Sequence, residues 1–291
     1  MFEARTLNRA LALLANVALV LGCSRAPLPT PAVRAQTSNS AASDSAGAQA
    51  TEPEVKTTSG VASSASARGT GVAVVELFTS EGCSSCPPAD AALARLSTRA
   101  RASALPIYAL SFHVDYWNYL GWRDRFSSAR YSERQRGYAE LNPSGGTYTP
   151  QVVVNGAAEC VGSHTSELDR LIDLALERQA RTQITLDGRR SGRAIELRYR
   201  VSGDTARRVL NLALLEPHAE SRVQSGENAG SHLAHANVVR AFEVRALAAS
   251  AAGSWSVELP TDFDSRPVAL VAYAEDSAQR DVSGAAALEL D

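Results

Sequence analysis

The sequence predicts an α/β domain followed by a β-rich, sandwich-like domain, and three observations predict it. Between residues 71 and 181, apolar strand-like runs alternate with helix-like runs, an order that implies a partly parallel sheet with helices on both faces. Between residues 182 and 291, the runs are short, alternate in polarity and are separated by turn residues, as in an antiparallel sandwich. Cys83 and Cys86 stand between the first strand-like run and the first helix-like run, where the exposed N–H groups of a helix start stabilise a thiolate.

The chain opens with residues that do not belong to the fold. Arg5 and Arg9 form a short basic region, and residues 10–21 are apolar but too few to span a bilayer, so residues 1–22 read as a signal peptide. The stretch ends Val20-Leu21-Gly22-Cys23, which resembles a bacterial lipobox with Cys23 as the lipidated residue. Ser24, not Asp, follows Cys23, and the lipoprotein sorting pattern it resembles places the protein at the outer membrane of a Gram-negative bacterium, facing the periplasm. Residues 23–70 are rich in Ala, Ser, Thr and Pro and hold no aromatic residue. Such a segment cannot bury enough apolar area to offset chain entropy, so a disordered tether is expected, with a mean span of ~35–40 Å.

The first domain is expected at 71–181. Strands are predicted at 72–78, 106–114 and 151–155, and helices at 88–101, within 124–141, and at 166–181. The last helix carries Leu168, Leu171, Ile172, Leu174 and Ala175 on one face. Pro150 opens the third strand, a position where proline is tolerated, and an X–Pro bond is where a cis peptide is accessible. Strand, C-x-x-C, helix and Thr149-Pro150 together resemble a thioredoxin fold. That resemblance implies that Thr149 and Pro150 face the cysteines and present backbone groups to a partner chain.

The second domain is expected at 182–291, with strands at 183–186, 194–201, 209–215, 255–259 and 268–273. Residues 223–239 are polar and glycine-containing, and a long loop packed against the first domain, over the dithiol, is expected there. His232 and His235 would share a face if that segment were helical, but two ligands do not make a metal site.

Long motifs narrow the reading. VVELFTSEGCSSCPPAD at 74–90, FHVDYWNYLGWRD at 112–124, GENAG at 226–230 and NVVR at 237–240 resemble the DUF1223 family of secreted thioredoxin-like proteins. The resemblance covers nearly all of the chain from Val72 onward and implies a fold and a site location.

The chemistry centres on the cysteines. Cys83 is expected to attack as the exposed thiolate and Cys86 to resolve the mixed disulfide; the alternative is a fixed structural disulfide. Glu76, a carboxylate in an apolar strand, needs a task or a partner, and it is a candidate proton relay for Cys86, with an ion-paired or edge carboxylate as the alternative. His113 and Asp115 end the second strand, where a parallel sheet lines its ligand crevice. His113 is a candidate to take a proton from a cysteine or to help bind a metal, with Asp115 orienting it. Tyr116, Trp117, Tyr119 and Trp122 are candidates for a wall beside the dithiol, and His113 and Asp115 with Trp117 are expected to bind substrate; a packed connection with a structural His–Asp hydrogen bond is the alternative. Cys160 reads as a buried, inert thiol. The net charge of −2 argues against a nucleic-acid partner.

The expected activity is thiol–disulfide exchange on exported protein or peptide thiols, with a redox partner protein, a membrane anchor and no organic cofactor. The runner-up is a Cu(I)-binding module built from Cys83, Cys86 and His113, since thiolates select Cu(I). A third reading is a non-catalytic binding module stapled by the disulfide.

Overall fold

Strand β2, Ala73–Thr79, is an almost unbroken apolar run buried along its whole length. A strand of that kind needs cover on both faces. The computed structural model describes residues 58–62 and 71–291, apart from 143–144, 248–250 and 264–266. The signal peptide and Cys23 lie outside the described residues. So does most of the expected tether; within it, Thr58–Ala62 forms a strand, β1.

The elements after β2 follow in order: helix α1 (Pro87–Ala102), strand β3 (Ile107–His113), helix α2 (Ala129–Leu141), strands β4 (Gln151–Val154) and β5 (Ala158–Val161), and helix α3 (Thr165–Glu177). Seven strands complete the chain: β6 (Thr182–Ser191), β7 (Ala194–Gly203), β8 (Arg208–Arg222), β9 (His232–Ala246), β10 (Ala252–Glu258), β11 (Val268–Asp276) and β12 (Val282–Leu290). They form two sheets, one ordered β12-β11-β8-β9-β3-β2-β4-β5 and one ordered β1-β6-β7-β10.

This architecture corrects the expected fold class. The protein is predominantly β, and neither a thioredoxin-like α/β domain nor a separate β-rich domain is found. Parallel pairing among the described strands is confined to β2 with β3 and β3 with β9; the other pairs are antiparallel. The physical reason lies at β3. Its outer edge pairs with β9 at Ser111 and Val238, so the sheet runs on through β8, β11 and β12, across the boundary expected at 181/182. All the described residues fall in one compact unit.

Two-residue periodicity sorts the side chains of β2 onto two faces. Ala73, Val75 and Leu77 pack with Ala89, Leu93 and Leu96 of α1 and with Leu168 and Ile172 of α3. Val74 and Phe78 pack on the other face with Phe112, with Tyr131 and Tyr138 of α2, and with Leu215, Val239 and Tyr273 from the later strands. The small sheet closes over the far end of the large one, burying Ile184, Leu186, Ile195, Leu197 and Trp255 against Leu210, Leu212, Leu214, Leu270 and Leu288.

The segment expected to be a loop at 223–239 is only partly one. From His232 onward it is strand β9, paired with β8 from Arg222↔His232 to Val209↔Ala246. His232 and His235 therefore point to opposite faces rather than one: His232 is exposed and His235 is buried. Among the described residues, no helix is long and apolar enough to cross a membrane.

Candidate functional site

The chain leaves β2 at Thr79 and reaches α1 through a tight turn. Cys83 N–H donates to the Ser80 carbonyl at 3.1 Å, and Cys86 N–H donates to the Cys83 carbonyl at 3.1 Å. Cys86 is the N-cap of α1, with Pro87 and Pro88 as its first two residues. Proline suits that position, because its missing N–H has no partner to lose at a helix start. Cys83 and Cys86 form a disulfide with a Cα–Cα distance of 5.4 Å.

Both cysteines are 0% exposed. Cys83 was expected to be the exposed member, and the covering segments explain the difference. Thr149 and Pro150, joined by a cis peptide, lie beside the pair, and Ser85 Oγ reaches the Thr149 carbonyl at 3.5 Å. Trp117 Nε1 donates to Thr149 Oγ1 at 2.8 Å. The same Trp117 packs so closely on Gly82 that a Cβ there would meet its Cβ at 3.0 Å.

The turn between β8 and β9 supplies the rest of the cover. Asn228 Nδ2 donates to the carbonyls of Glu81 and Cys83, both at 2.9 Å. Glu227 Oε2 accepts the Ser84 N–H at 3.0 Å. Ser225 Oγ donates to the Gly121 carbonyl at 2.7 Å. Gly226 and Gly230 take φ values of 80° and 84°, a left-handed backbone that favours glycine and lets the turn fold down.

A buried polar cluster lies behind the turn. It comprises Glu81, Asp90 of α1, His113 of β3, Asp124 and His235 of β9. Asp124 Oδ2 is 2.7 Å from His113 Nδ1 and accepts the Glu81 N–H at 2.9 Å. Burial would raise the Asp124 carboxyl, but His113 and the N–H groups of Glu81 and Phe126 outweigh it and hold the group below the usual range. Trp122 Nε1 donates to Glu81 Oε2 at 2.6 Å. His235 lies between two carboxylates, with Nε2 3.6 Å from Glu81 and Nδ1 3.8 Å from Asp90. Those separations exceed a hydrogen bond, so charge is what couples the groups. Burial pushes the His235 imidazole down, yet Asp90 and Glu81 prevail and bring it up to about 10. The two imidazoles meet edge to face, with ring centroids 4.8 Å apart.

The structure does not bring Glu76 to the cysteines. Its side chain points to the face of β2 opposite α1, because it alternates with Val75 and Leu77. There it accepts from Arg134 Nε and Nη2 at 2.6 and 2.8 Å, and from the hydroxyls of Tyr138 and Tyr273. The ion-paired alternative describes it, and the relay does not. Asp115 does not orient His113 either. Strand β3 ends at His113, and Asp115 lies beyond it, accepting from Ser132 Oγ at 2.5 Å; Asp124 takes the role at His113. Cys160 is a buried free thiol, raised to about 11 first by burial and then by Glu167 and Glu159. Among the described residues, no group of three or more His, Cys, Asp or Glu side chains is placed so that it could hold a metal ion.

Residue-by-residue reading missed Glu81, Asp90, Asp124, Glu227 and Asn228, and it met His235 only as half of an insufficient metal pair with His232. All but His235 stand inside the motifs at 74–90, 112–124 and 226–230, so each was in view without its spatial neighbours.

Fold and site together define a predominantly β protein with a disulfide at a helix start, closed over by a strand–strand turn. A family model described as "Protein of unknown function (DUF1223)" matches residues 74–275, and the chain belongs to that family. It is similar to a protein from Agrobacterium tumefaciens solved by X-ray crystallography, at 27% identity and a TM-score of 0.53, over 75% of this chain and 94% of that one. A comparison with curated proteins gives no match.

Proposed function

We propose that the protein is a thiol–disulfide oxidoreductase acting on exported proteins. The observation that supports this is the placement of the Cys83–Cys86 disulfide at the first turn of α1, where the 145–150 segment, Trp117 and the β8–β9 turn converge on it. A helix start stabilises a departing thiolate.

In the reduced form, Cys83 thiolate attacks one sulfur of a substrate disulfide. That bond breaks, the first substrate sulfur leaves as a thiolate, and a mixed disulfide forms. Cys86 then loses its proton and attacks Cys83 Sγ, breaking the mixed disulfide and releasing the second substrate sulfur. Two electrons pass from the dithiol to the substrate, and a partner protein dithiol returns them to the Cys83–Cys86 pair. The signal-peptide and lipobox features of residues 1–23 support a periplasm-facing, lipid-anchored setting, where such disulfides occur.

One observation favours a second reading, a binding module with a structural disulfide: both cysteines are closed off from solvent. Cys86→Ser and Cys83→Ser separate the two. With a disulfide-bonded peptide as substrate and dithiothreitol as reductant, the exchange reading expects Cys86→Ser to accumulate a mixed disulfide at Cys83. It also expects Cys83→Ser to lower turnover at least ~100-fold, the scale of losing a nucleophile. Equal turnover in wild type and Cys83→Ser refutes exchange at this site.

A further inference from the structure

The carboxylate of Glu227 lies against the residue that follows Cys83. Its side chain is exposed, yet Oε2 reaches across to the Ser84 N–H at 3.0 Å, on the residue after Cys83. That N–H belongs to the turn leading into α1, one of the amide groups whose partial positive charge favours an anion there. Glu227 supplies the anion itself. Its neighbour Asn228 fixes the turn by bonding the Cys83 carbonyl, so the charge is anchored beside the cysteine.

Resting on the exchange reading for its purpose, we propose that Glu227 is a positioning residue that acts through the Ser84 amide on Cys83. Its carboxylate occupies the amide and disfavours the Cys83 thiolate, keeping Cys83 of the reduced pair protonated and unreactive while the turn is down. A substrate that displaces the turn removes the carboxylate and frees the amide for the Cys83 sulfur in the same motion. The bond to Ser84 N–H holds the Glu227 carboxyl below its ordinary range, so it stays ionised wherever a cysteine titrates.

Other titratable groups pack against the same turn: Glu81 and Asp90 behind it, His235 between them, and Asp124 with His113 beyond. They are common to every variant below, so differences between variants report Glu227.

The test uses the reduced full-length protein and follows iodoacetamide labelling of Cys83 by peptide mass across pH. Glu227→Gln keeps an oxygen for the Ser84 N–H but removes the charge. It is expected to lower the pH of half-maximal labelling by about one and to speed labelling ~10-fold below that pH. Glu227→Asp, which keeps the charge, restores the wild-type profile. The Cys83–Cys86 potential rises in Glu227→Gln by up to ~30 mV, the equivalent of that tenfold change, and 0.5 M salt shrinks the difference because the carboxylate is exposed.

Three results overturn the proposal: Glu227→Gln profiles that match wild type, faster labelling in Glu227→Gln at every pH with no shift of the midpoint, or no labelling of Cys83 in any variant. Failure of the exchange reading looks different, because there peptide turnover is absent in wild type while the labelling midpoint still moves with Glu227.

Discussion

Replacing Arg134 by Met will lower the stability of the folded protein by about 3–5 kcal/mol, the cost of stranding buried charge. Arg134 is only 7% exposed and holds two strands that lie far apart in sequence. Its guanidinium donates to Glu76 of β2 at 2.6 and 2.8 Å and to Glu275 of β11 at 2.7 Å, and it also reaches the hydroxyls of Tyr138 and Tyr273. Burial already pushes the Glu275 carboxyl up, and the Arg134 charge is the strongest influence opposing it. Without the guanidinium, two carboxylates face each other in a core that includes Phe78 and Phe112. Urea unfolding followed by far-UV circular dichroism measures the loss. Adding Glu76→Gln and Glu275→Gln to Arg134→Met is expected to recover much of it, because no buried charge then lacks a partner. An Arg134→Met midpoint equal to wild type contradicts the assignment.

His235 gives the second large effect, and it appears as a pH dependence. The folded protein holds this imidazole at about 10 against an ordinary 6.5, so folding binds its proton more tightly. The stabilisation is therefore complete below pH 6.5 and is lost as pH rises through about 10. The amount at stake is on the order of 5 kcal/mol. His235→Gln removes the titrating group and flattens the curve over that range. Denaturant unfolding at pH 6 and at pH 10 tests this: the gap between wild type and variant narrows as pH rises. A gap that stays constant shows that His235 does not carry its proton on Glu81 and Asp90.

Local structure was legible in the sequence to a useful degree. The apolar run of β2, the prolines opening α1 and β4, and the buried face of α3 (Leu168, Leu171, Ile172 and Ala175, with Leu174 exposed instead of buried beside them) each mark an element whose pattern is set by neighbours a few residues away. The global arrangement was not legible. The edge pairing of Ser111 with Val238 joins residues over a hundred positions apart and leaves no trace in either strand. Strand β12 was missed because Ala285, Ala286 and Ala287 with Gly284 have low strand propensity; packing at that position favours the small residues, since a Cβ on Gly284 would meet the Thr182 carbonyl oxygen at 2.0 Å.

The site was legible in its covalent part only. C-x-x-C and Thr149-Pro150 announce themselves by spacing, and the structure sets them side by side. Glu76 invited a relay role because a carboxylate in an apolar strand is conspicuous, but periodicity alone leaves open which face is which. The burial of Cys83 depends on Glu227 and Asn228, some 145 residues away, and distance along the chain hides such a partner.

The central claim is that the Cys83–Cys86 pair cycles between disulfide and dithiol. The measurement that tests it most directly is the reduction potential of the pair, obtained by equilibrating the full-length protein in glutathione and dithiothreitol buffers and trapping free thiols. The exchange reading predicts a reversible two-electron titration within the range of the catalytic oxidoreductases, about −120 to −270 mV. A pair that stays oxidised below about −300 mV is a structural staple, and that result contradicts the proposed activity.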